Sequence, residues 1–258
     1  GARMQNDGSE LWRSDGTGAG TTLVKNVNPG DSGNGISGIV KLGAVALFSG
    51  EDAGAGTELW RSDGTAAGTF RLTDIRPGPA DSNLVALTVV GATVYFRAFD
   101  AAHGLELWKS DGTAAGTVLV KDIQPGPGSS EPRDLVALGS TLLFAAEDVS
   151  GNVELWKSDG SAAGTVVVKE IVAGPTGSFP NDLTVVGGAV FFEAEDGING
   201  FELWKSNGTA AGTVLVKDIH SGPLDSTPEK FLALGSTLLF AADDGVSGVE
   251  LWKSNGTA

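Results

Sequence analysis

The sequence predicts an all-β protein, a five-bladed β-propeller built from four-stranded antiparallel blades. The tripeptide Glu-Leu-Trp begins at residues 10, 58, 106, 154, 202 and 250, so the repeat is 48 residues long and contains no gap. The period that starts at residue 134 holds four short apolar runs, and Asp-Gly, Leu-Gly-Ser and Pro-Gly sequences mark turns in the repeats. A repeat of about 20–50 residues made of four strands is typical of a propeller blade.

The first two strands of a repeat are predicted at residues 134–138 and 140–148. The second contains the continuous apolar run from Leu142 to Ala146, and Gly139 separates the two. Both are too short for stable helices, and their Val, Leu and Phe content favours strands. Because a nearly continuous apolar strand is covered on both faces, we expect these two strands to lie inside.

The third and fourth strands are predicted at Val153–Ser158 and at residues 165–171. Lys157 and Lys169 interrupt their apolar pattern, so we expect both strands to lie on the outside of the blade. Asp159-Gly160 makes the turn between them. No helical periodicity competes with this interpretation.

The string ELWKSDGTAAGT, at residues 106–117, resembles the bacterial ELWxxDGT tandem repeat. The resemblance extends over residues 10–258. It implies a β-propeller within a secreted or cell-surface bacterial protein, and it carries no established activity to this chain. The blade is also similar, more loosely, to kelch and quinoprotein blades, but no pyrroloquinoline quinone site is recognisable.

Counting the strands defines a closure problem. The first, second and fourth strands occur five times and the Glu-Leu-Trp strand six times, with a partial sixth copy at residues 250–258. We expect one domain, residues 1–258, whose ring closes by pairing of N- and C-terminal strands so that no sheet edge is left open. One Glu-Leu-Trp copy is then surplus. We expect it to be frayed in a monomer, and strand exchange between chains is the alternative. Residues 1–9 are expected to be an extension that begins with a cloning scar.

Composition excludes several classes of function. The formal net charge is −15 and the isoelectric point is 4.4, which argues against a nucleic-acid surface. The chain has no Cys, so it has neither disulfides nor thiolate metal sites. No apolar run is long enough to insert into a membrane.

Aromatic residues that recur in every repeat have a structural interpretation. We expect the phenylalanines of the second strand to form the core. We expect the tryptophans to wedge between blades with their indole N–H bonded; sugar stacking on an exposed ring is the alternative. The phenylalanines are Phe48, Phe96, Phe144, Phe192 and Phe240, and the tryptophans are Trp12, Trp60, Trp108, Trp156, Trp204 and Trp252.

The recurring Ser-Asp-Gly-Thr segment is expected to be a turn. Asp and Thr side chains bond their own backbone in turns, and Gly supplies a positive φ. In the last two copies Asn207 and Asn255 stand in place of the Asp, and they keep the hydrogen-bonding oxygen without the charge. This tolerance argues against a metal ligand and favours a turn.

Acidic residues recur at the ends of strands and predict an acidic rim on one face. An Asp ends the second strand of every repeat and a Glu begins the third, across the same hairpin. The residues are Asp52, Asp100, Asp148, Asp196 and Asp244, with Glu58, Glu106, Glu154 and Glu202. We expect this rim to bind a ligand, or, in the simpler interpretation, the Asp residues to cap their hairpins. A repeated Ca²⁺ site is the metal hypothesis, although the spacing matches no standard loop.

The leading functional hypothesis is a non-enzymatic binding or scaffold module that contacts proteins or the cell surface through several equal sites. A lectin with one sugar site per blade is the alternative. A glycoside hydrolase is less favoured, because catalysis needs a few unlike groups. The candidates for such groups are His103, His220 and the carboxylate pair Glu193 and Glu195, of which Glu193 replaces an Ala found in two other copies.

Overall fold

The computed structural model describes residues 10–28, 35–52, 54–174 and 176–257. In these ranges the chain forms 21 β-strands, and no helix that could cross a membrane occurs among them. The predicted extension at residues 1–9 lies outside the described residues. The chain divides into two compact units, Gly1–Asp122 with Gly126–Ser129 and Ile123–Pro125 with Ser130–Ala258.

The first unit contains three antiparallel sheets. Strands β1 and β2 form a two-stranded sheet, and the orders of the other two sheets are β3-β4-β5-β6 and β7-β8-β9-β10. The strand bounds are β1 Leu11–Arg13, β2 Thr22–Lys25, β3 Ile36–Leu42, β4 Val45–Asp52, β5 Gly56–Ser62, β6 Phe70–Arg71, β7 Val85–Val90, β8 Thr93–Asp100, β9 Gly104–Ser110 and β10 Val118–Lys121.

The second unit also contains three antiparallel sheets. Two have four strands, β11-β12-β13-β14 and β15-β16-β17-β18, and the third has the order β19-β20-β21. The strand bounds are β11 Arg133–Leu138, β12 Thr141–Glu147, β13 Val153–Ser158, β14 Val166–Lys169, β15 Asn181–Val186, β16 Ala189–Glu195, β17 Phe201–Ser206, β18 Val214–Lys217, β19 Glu229–Leu234, β20 Thr237–Asp243 and β21 Val249–Ser254.

The strand prediction is confirmed in type, number and order. Each complete repeat is a four-stranded antiparallel meander, and the second strand is the most deeply buried, as Leu142–Ala146 of β12 show. The prediction that the first strand is covered on both faces is wrong. In β11 only Leu135 is buried, because this strand is the last of its sheet and a β-bulge between Arg133 and Val136 shifts its register.

Consecutive sheets within a unit pack through one apolar face each. In the second unit, Leu155 and Val168 of one repeat contact Phe192 and Trp204 of the next. A lysine side chain also forms a hydrogen bond between the same repeats, since Lys157 Nζ donates to the carbonyl of Gly208 at 3.0 Å. Because the repeats are similar in sequence, each one contributes one apolar face to the preceding repeat and another to the following repeat.

The expected pairing of N- and C-terminal strands is not found among the described residues. These residues form six sheets rather than five, because β1 and β2 make a sheet of their own and the sheet β19-β20-β21 has three strands. The expectation that one Glu-Leu-Trp copy is frayed is also wrong for the described residues. The first copy is paired in β1 and the last in β21, because each has a hairpin partner next to it in the chain.

Candidate functional site

The aspartates at the end of the second strand cap the hairpin that follows. Asp148 Oδ1 accepts hydrogen bonds from the backbone N–H of Ser150 at 2.7 Å and from that of Asn152 at 3.2 Å. Asp196 bonds the backbone N–H groups of Ile198 and Asn199 in the same way. The same role is found at Asp52, Asp100 and Asp244. We call these five hairpins the Asp hairpins.

The Asp hairpins hold partly exposed carboxylates. Although burial opposes it, hydrogen bonds from Ser150 and Asn152 lower the pKa of Asp148. Backbone N–H donors from Ser247 and Val246 lower the pKa of Asp244. These residues are half-buried, so each repeat presents a negative group at the same loop.

The glutamates predicted for the same rim are turned inward. Glu58, Glu106, Glu154 and Glu202 are fully buried. Glu58 accepts the backbone N–H of Ile75 at 2.9 Å and that of Arg76 at 3.3 Å, at the end of the fourth strand. Burial raises the pKa of Glu58 to about 7, against the lowering effect of these bonds. Of the predicted rim, the structure therefore exposes the aspartates and buries these glutamates.

Buried serines in the connection between repeats complete this arrangement, and they were not predicted. Ser178 Oγ donates to Glu154 at 2.5 Å, and Ser226 Oγ donates to Glu202 at 2.6 Å. The backbone of Ser226 also bridges two repeats, because its N–H donates to Phe201 and its carbonyl accepts from Asp243. The signal available in the sequence was a Ser 24 residues after the Glu in these repeats.

The Ser-Asp-Gly-Thr segments are turns, as predicted. Asp159 Oδ1 accepts the backbone N–H of Ser161 at 2.8 Å, and Asn207 Oδ1 accepts that of Thr209 at 3.1 Å. A Cβ on Gly212 would lie 2.0 Å from Asn207 Oδ1, which explains the Gly at this position. The change from Asp to Asn leaves the turn bonds in place.

The tryptophans are packing residues in the described structure. Trp60 contacts Leu11 and Val24 of the preceding repeat, and Trp204 contacts residues of the preceding repeat in the same manner. The prediction that the indole N–H is bonded holds for Trp156, whose Nε1 donates to the carbonyl of Ala146 at 3.1 Å, and for Trp252. It is wrong for the other four tryptophans, whose buried Nε1 has no hydrogen-bond partner: Trp12, Trp60, Trp108 and Trp204. Trp60, Trp156 and Trp204 are buried, so none of these three rings offers an open face for sugar stacking.

The residues that break the repeat do not form a recognisable catalytic set. Glu193 lies opposite Asn181 in the sheet, and burial raises its pKa to about 7. Glu195 lies two residues further along β16, opposite Phe201. His103 Nδ1 contacts Asp100 at 2.8 Å, and this hydrogen bond raises the pKa of His103. His220 Nδ1 lies 3.2 Å from the carbonyl oxygen of Asp225.

The metal hypothesis gains no support from the geometry. Within the described ranges, no group of three or more His, Asp or Glu side chains converges in a way that could hold a metal ion. The Asp hairpins use their carboxylates to bond backbone N–H groups instead.

Comparison with protein-family models and with curated proteins gives no match. Solved structures do resemble the chain. The computationally designed Ika8 protein is 17% identical, with a TM-score of 0.52, over 97% of this chain and 69% of Ika8. Puromycin hydrolase is 14% identical, with a TM-score of 0.56, over 96% of this chain and 41% of the hydrolase.

A puromycin-hydrolyzing peptidase of Mycobacterium tuberculosis is 12% identical, with a TM-score of 0.54, over 98% of this chain and 41% of the peptidase. The chain thus spans about two fifths of the length of these two hydrolases. At such identities the likeness concerns the fold alone, and it is to propeller-like folds.

Proposed function

We propose that the chain is a non-enzymatic binding or scaffold module of the ELWxxDGT repeat type, in a secreted or cell-surface bacterial protein. Its finer architecture in this proposal is a β-propeller of four-stranded antiparallel blades, one for each 48-residue repeat. The likeness to propeller-like folds and the regular four-stranded repeats support this architecture.

The observation that carries the functional proposal is the repetition of the Asp hairpin. Five hairpins hold one half-buried carboxylate each, in the same backbone setting. Equal sites on one chain bind a repetitive surface with avidity even when each contact is weak. A basic protein surface is the complementary partner, because the hairpins and the chain as a whole are negative.

Charge removal in two matched sets tests this proposal. One variant changes Asp52, Asp100, Asp148 and Asp196 to Asn. The control changes Asp15, Asp63, Asp111 and Asp159, in the Ser-Asp-Gly-Thr turns, to Asn. Both variants lose the same formal charge and keep an oxygen that accepts the backbone N–H.

Binding is measured to bacterial cells before and after their surface proteins are removed by protease, and on a glycan array. We expect saturable binding that needs surface protein, that weakens at least about tenfold in the hairpin variant, and that is retained in the control. Equal loss in both variants would show only a net-charge effect and would contradict the hairpin proposal. Protease-resistant binding with glycan recognition would favour a lectin.

A further inference from the structure

Large apolar side chains are exposed in the loops at one end of the second unit. Val149 and Ile198 lie in two of the Asp hairpins and are 73% and 72% exposed. Phe179 and Leu224 lie in the connections between repeats and are 39% and 58% exposed. A single exposed apolar residue is ordinary on a protein surface. These residues are not scattered, however, because the loops that carry them lie next to one another.

Hydrogen bonds and close packing of the backbone hold these loops together. The N–H of Ser178 donates to the carbonyl of Val153 at 2.9 Å, after one Asp hairpin, and its carbonyl accepts the N–H of Glu195 at 2.9 Å, before the next. The connection that contains Ser178 therefore lies between two Asp hairpins. Leu224 lies beside the second of them, since a Cβ on Gly200 would be 2.8 Å from its carbonyl oxygen. We call the four exposed residues the apolar strip, which runs in the order Val149, Phe179, Ile198 and Leu224.

The fold does not require large side chains at these places. In the first unit, the residues at the corresponding places of the 48-residue repeat are all small or polar. The φ of Phe179 is 47°, in the left-handed region that its counterpart Asn83, with a φ of 52°, adopts more readily than a bulky residue. The apolar strip is therefore a property of the second unit and not of the repeat. In the same order, the counterparts of its residues in one earlier repeat are Ala101, Asn83, Ala102 and Ala80.

The charge around the apolar strip is negative. Residues 147–153, 176–180, 195–201 and 221–227 include five acidic residues and no Lys or Arg. A second copy of this chain, with its net charge of −15, and an anionic lipid surface are therefore poor complements. The complementary surface carries apolar side chains together with positive charge. The acidic residues are Glu147, Asp148, Glu195, Asp196 and Asp225.

We propose that the apolar strip binds a cationic amphipathic segment of another protein, in which apolar side chains are flanked by Lys or Arg. This rests on the surface-binding proposal above and deepens it, because it states which hairpins make the contact and what the partner presents to them. Apolar side chains of the partner pack on the strip and supply most of the affinity, while its Lys or Arg side chains face the carboxylates and fix the orientation. The loops are held to their sheets by backbone hydrogen bonds, so little order has to be gained on binding.

A variant built from the chain's own repeats tests this proposal. It carries Val149→Ala, Phe179→Asn, Ile198→Ala and Leu224→Ala, so each strip residue is replaced by its counterpart in an earlier repeat, which the fold already accepts. The single variants Phe179→Asn and Ile198→Ala provide the same test if the four changes together lower the folded fraction.

The control variant removes apolar surface elsewhere. It carries Thr in place of three valines that begin fourth strands and are 37–39% exposed. Thr keeps the β-branched shape that favours a strand. The three valines are Val118, Val166 and Val214.

Binding is measured by fluorescence anisotropy to a labelled peptide of Leu and Lys and to a peptide in which every Leu is replaced by Ser. Vesicles of phosphatidylcholine, with and without phosphatidylglycerol, are the lipid probes. We expect the unmodified chain to bind the Leu and Lys peptide at least about tenfold more tightly than the Ser peptide, and the strip variant to lose at least about tenfold in this affinity. The control variant should stay within about twofold of the unmodified chain.

Equal binding by the strip variant and the unmodified chain, equal binding of both peptides, or a preference for vesicles over the peptide would overturn the proposal. Binding to bacterial cells separates it from the surface-binding proposal. If the strip variant bound cells as well as the unmodified chain while the Asp hairpin variant did not, surface binding would stand and the strip would not be its site. If the chain bound the peptide through the strip but did not bind cells, the strip would stand and the surface-binding proposal would fail.

Discussion

The same nine residues, ELWKSNGTA, occur at residues 202–210 and 250–258 and have different environments. In the first copy the third strand lies between two others, and Glu202, Leu203 and Trp204 are buried. In the second copy the strand is the last of its sheet, and Leu251 is largely exposed. The local backbone is nevertheless the same, because each copy pairs with its second strand through six residues in the same register.

This comparison separates local from non-local causes. Hydrogen bonds within the turn depend only on the sequence, and they are present in both copies. Burial depends on a neighbouring repeat, which covers one copy and leaves the other open. The same side chain is therefore buried in one copy and exposed in the other.

The largest expected effect concerns the two leucines. Leu203→Ala should lower the free energy of unfolding by about 2–5 kcal/mol, because it leaves a cavity against Phe240. Leu251→Ala should change it by less than about 0.5 kcal/mol in dilute protein, where the residue is exposed. Denaturant unfolding of both variants measures the difference. Similar losses at both positions would mean that Leu251 is covered in the isolated chain.

The sequence was sufficient to predict the strands, because Gly-rich turns and apolar runs recur in every repeat. Hairpin capping by Asp148 and its equivalents was the simpler of the two interpretations that the sequence left open, and the hydrogen bonds show it. The sequence could not assign Glu154 to the interior, since a Glu at a strand start is usually exposed, and only the N–H groups of a connection folded over it make burial tolerable.

Two other features depend on tertiary structure. The bulge in the first strand places Asp134, Asp182 and Lys230 at positive φ, although these residue types give no common signal for it. The fate of the surplus Glu-Leu-Trp copy was also open, because both copies have hairpin partners next to them in the chain. Each copy pairs with that local partner, and the expected fifth blade is not completed.

A second prediction concerns the pH dependence of stability that arises from a buried glutamate, Glu58. Burial raises the pKa of Glu58 from its ordinary value of 4.5 to about 7, so the folded state binds the proton more tightly than the unfolded state. Its contribution to stability is therefore fully present below about pH 4.5 and is lost as the pH rises toward 7. We expect a loss on the order of 2–3 kcal/mol across this window, measured by denaturant unfolding at several pH values.

Glu58→Gln should flatten this dependence, because the amide cannot ionise and its oxygen still accepts one of the two backbone N–H groups. Glu250→Gln removes the same charge from the open copy, where the side chain is exposed, and should leave the pH profile unchanged. If the Glu58 variant kept the full slope, another group would be responsible for it.

The smallest effect on the free energy of unfolding is expected in the turn, whose hydrogen bonds are the same in both copies. Thr209 N–H donates to Asn207 Oδ1 at 3.1 Å, and Thr257 N–H donates to Asn255 Oδ1 at 3.0 Å. Changing either Asn to Asp should alter the free energy of unfolding by less than about 0.5 kcal/mol, since Asp159 forms the same turn in an earlier repeat. Changing either to Ala should cost about 1 kcal/mol, because the Asn oxygen then no longer accepts from the N–H and the Oγ1 of the Thr two residues later. Equal responses at both positions would confirm that the turn is local, whereas a larger loss at Asn207 would show that the neighbouring repeat also stabilises it.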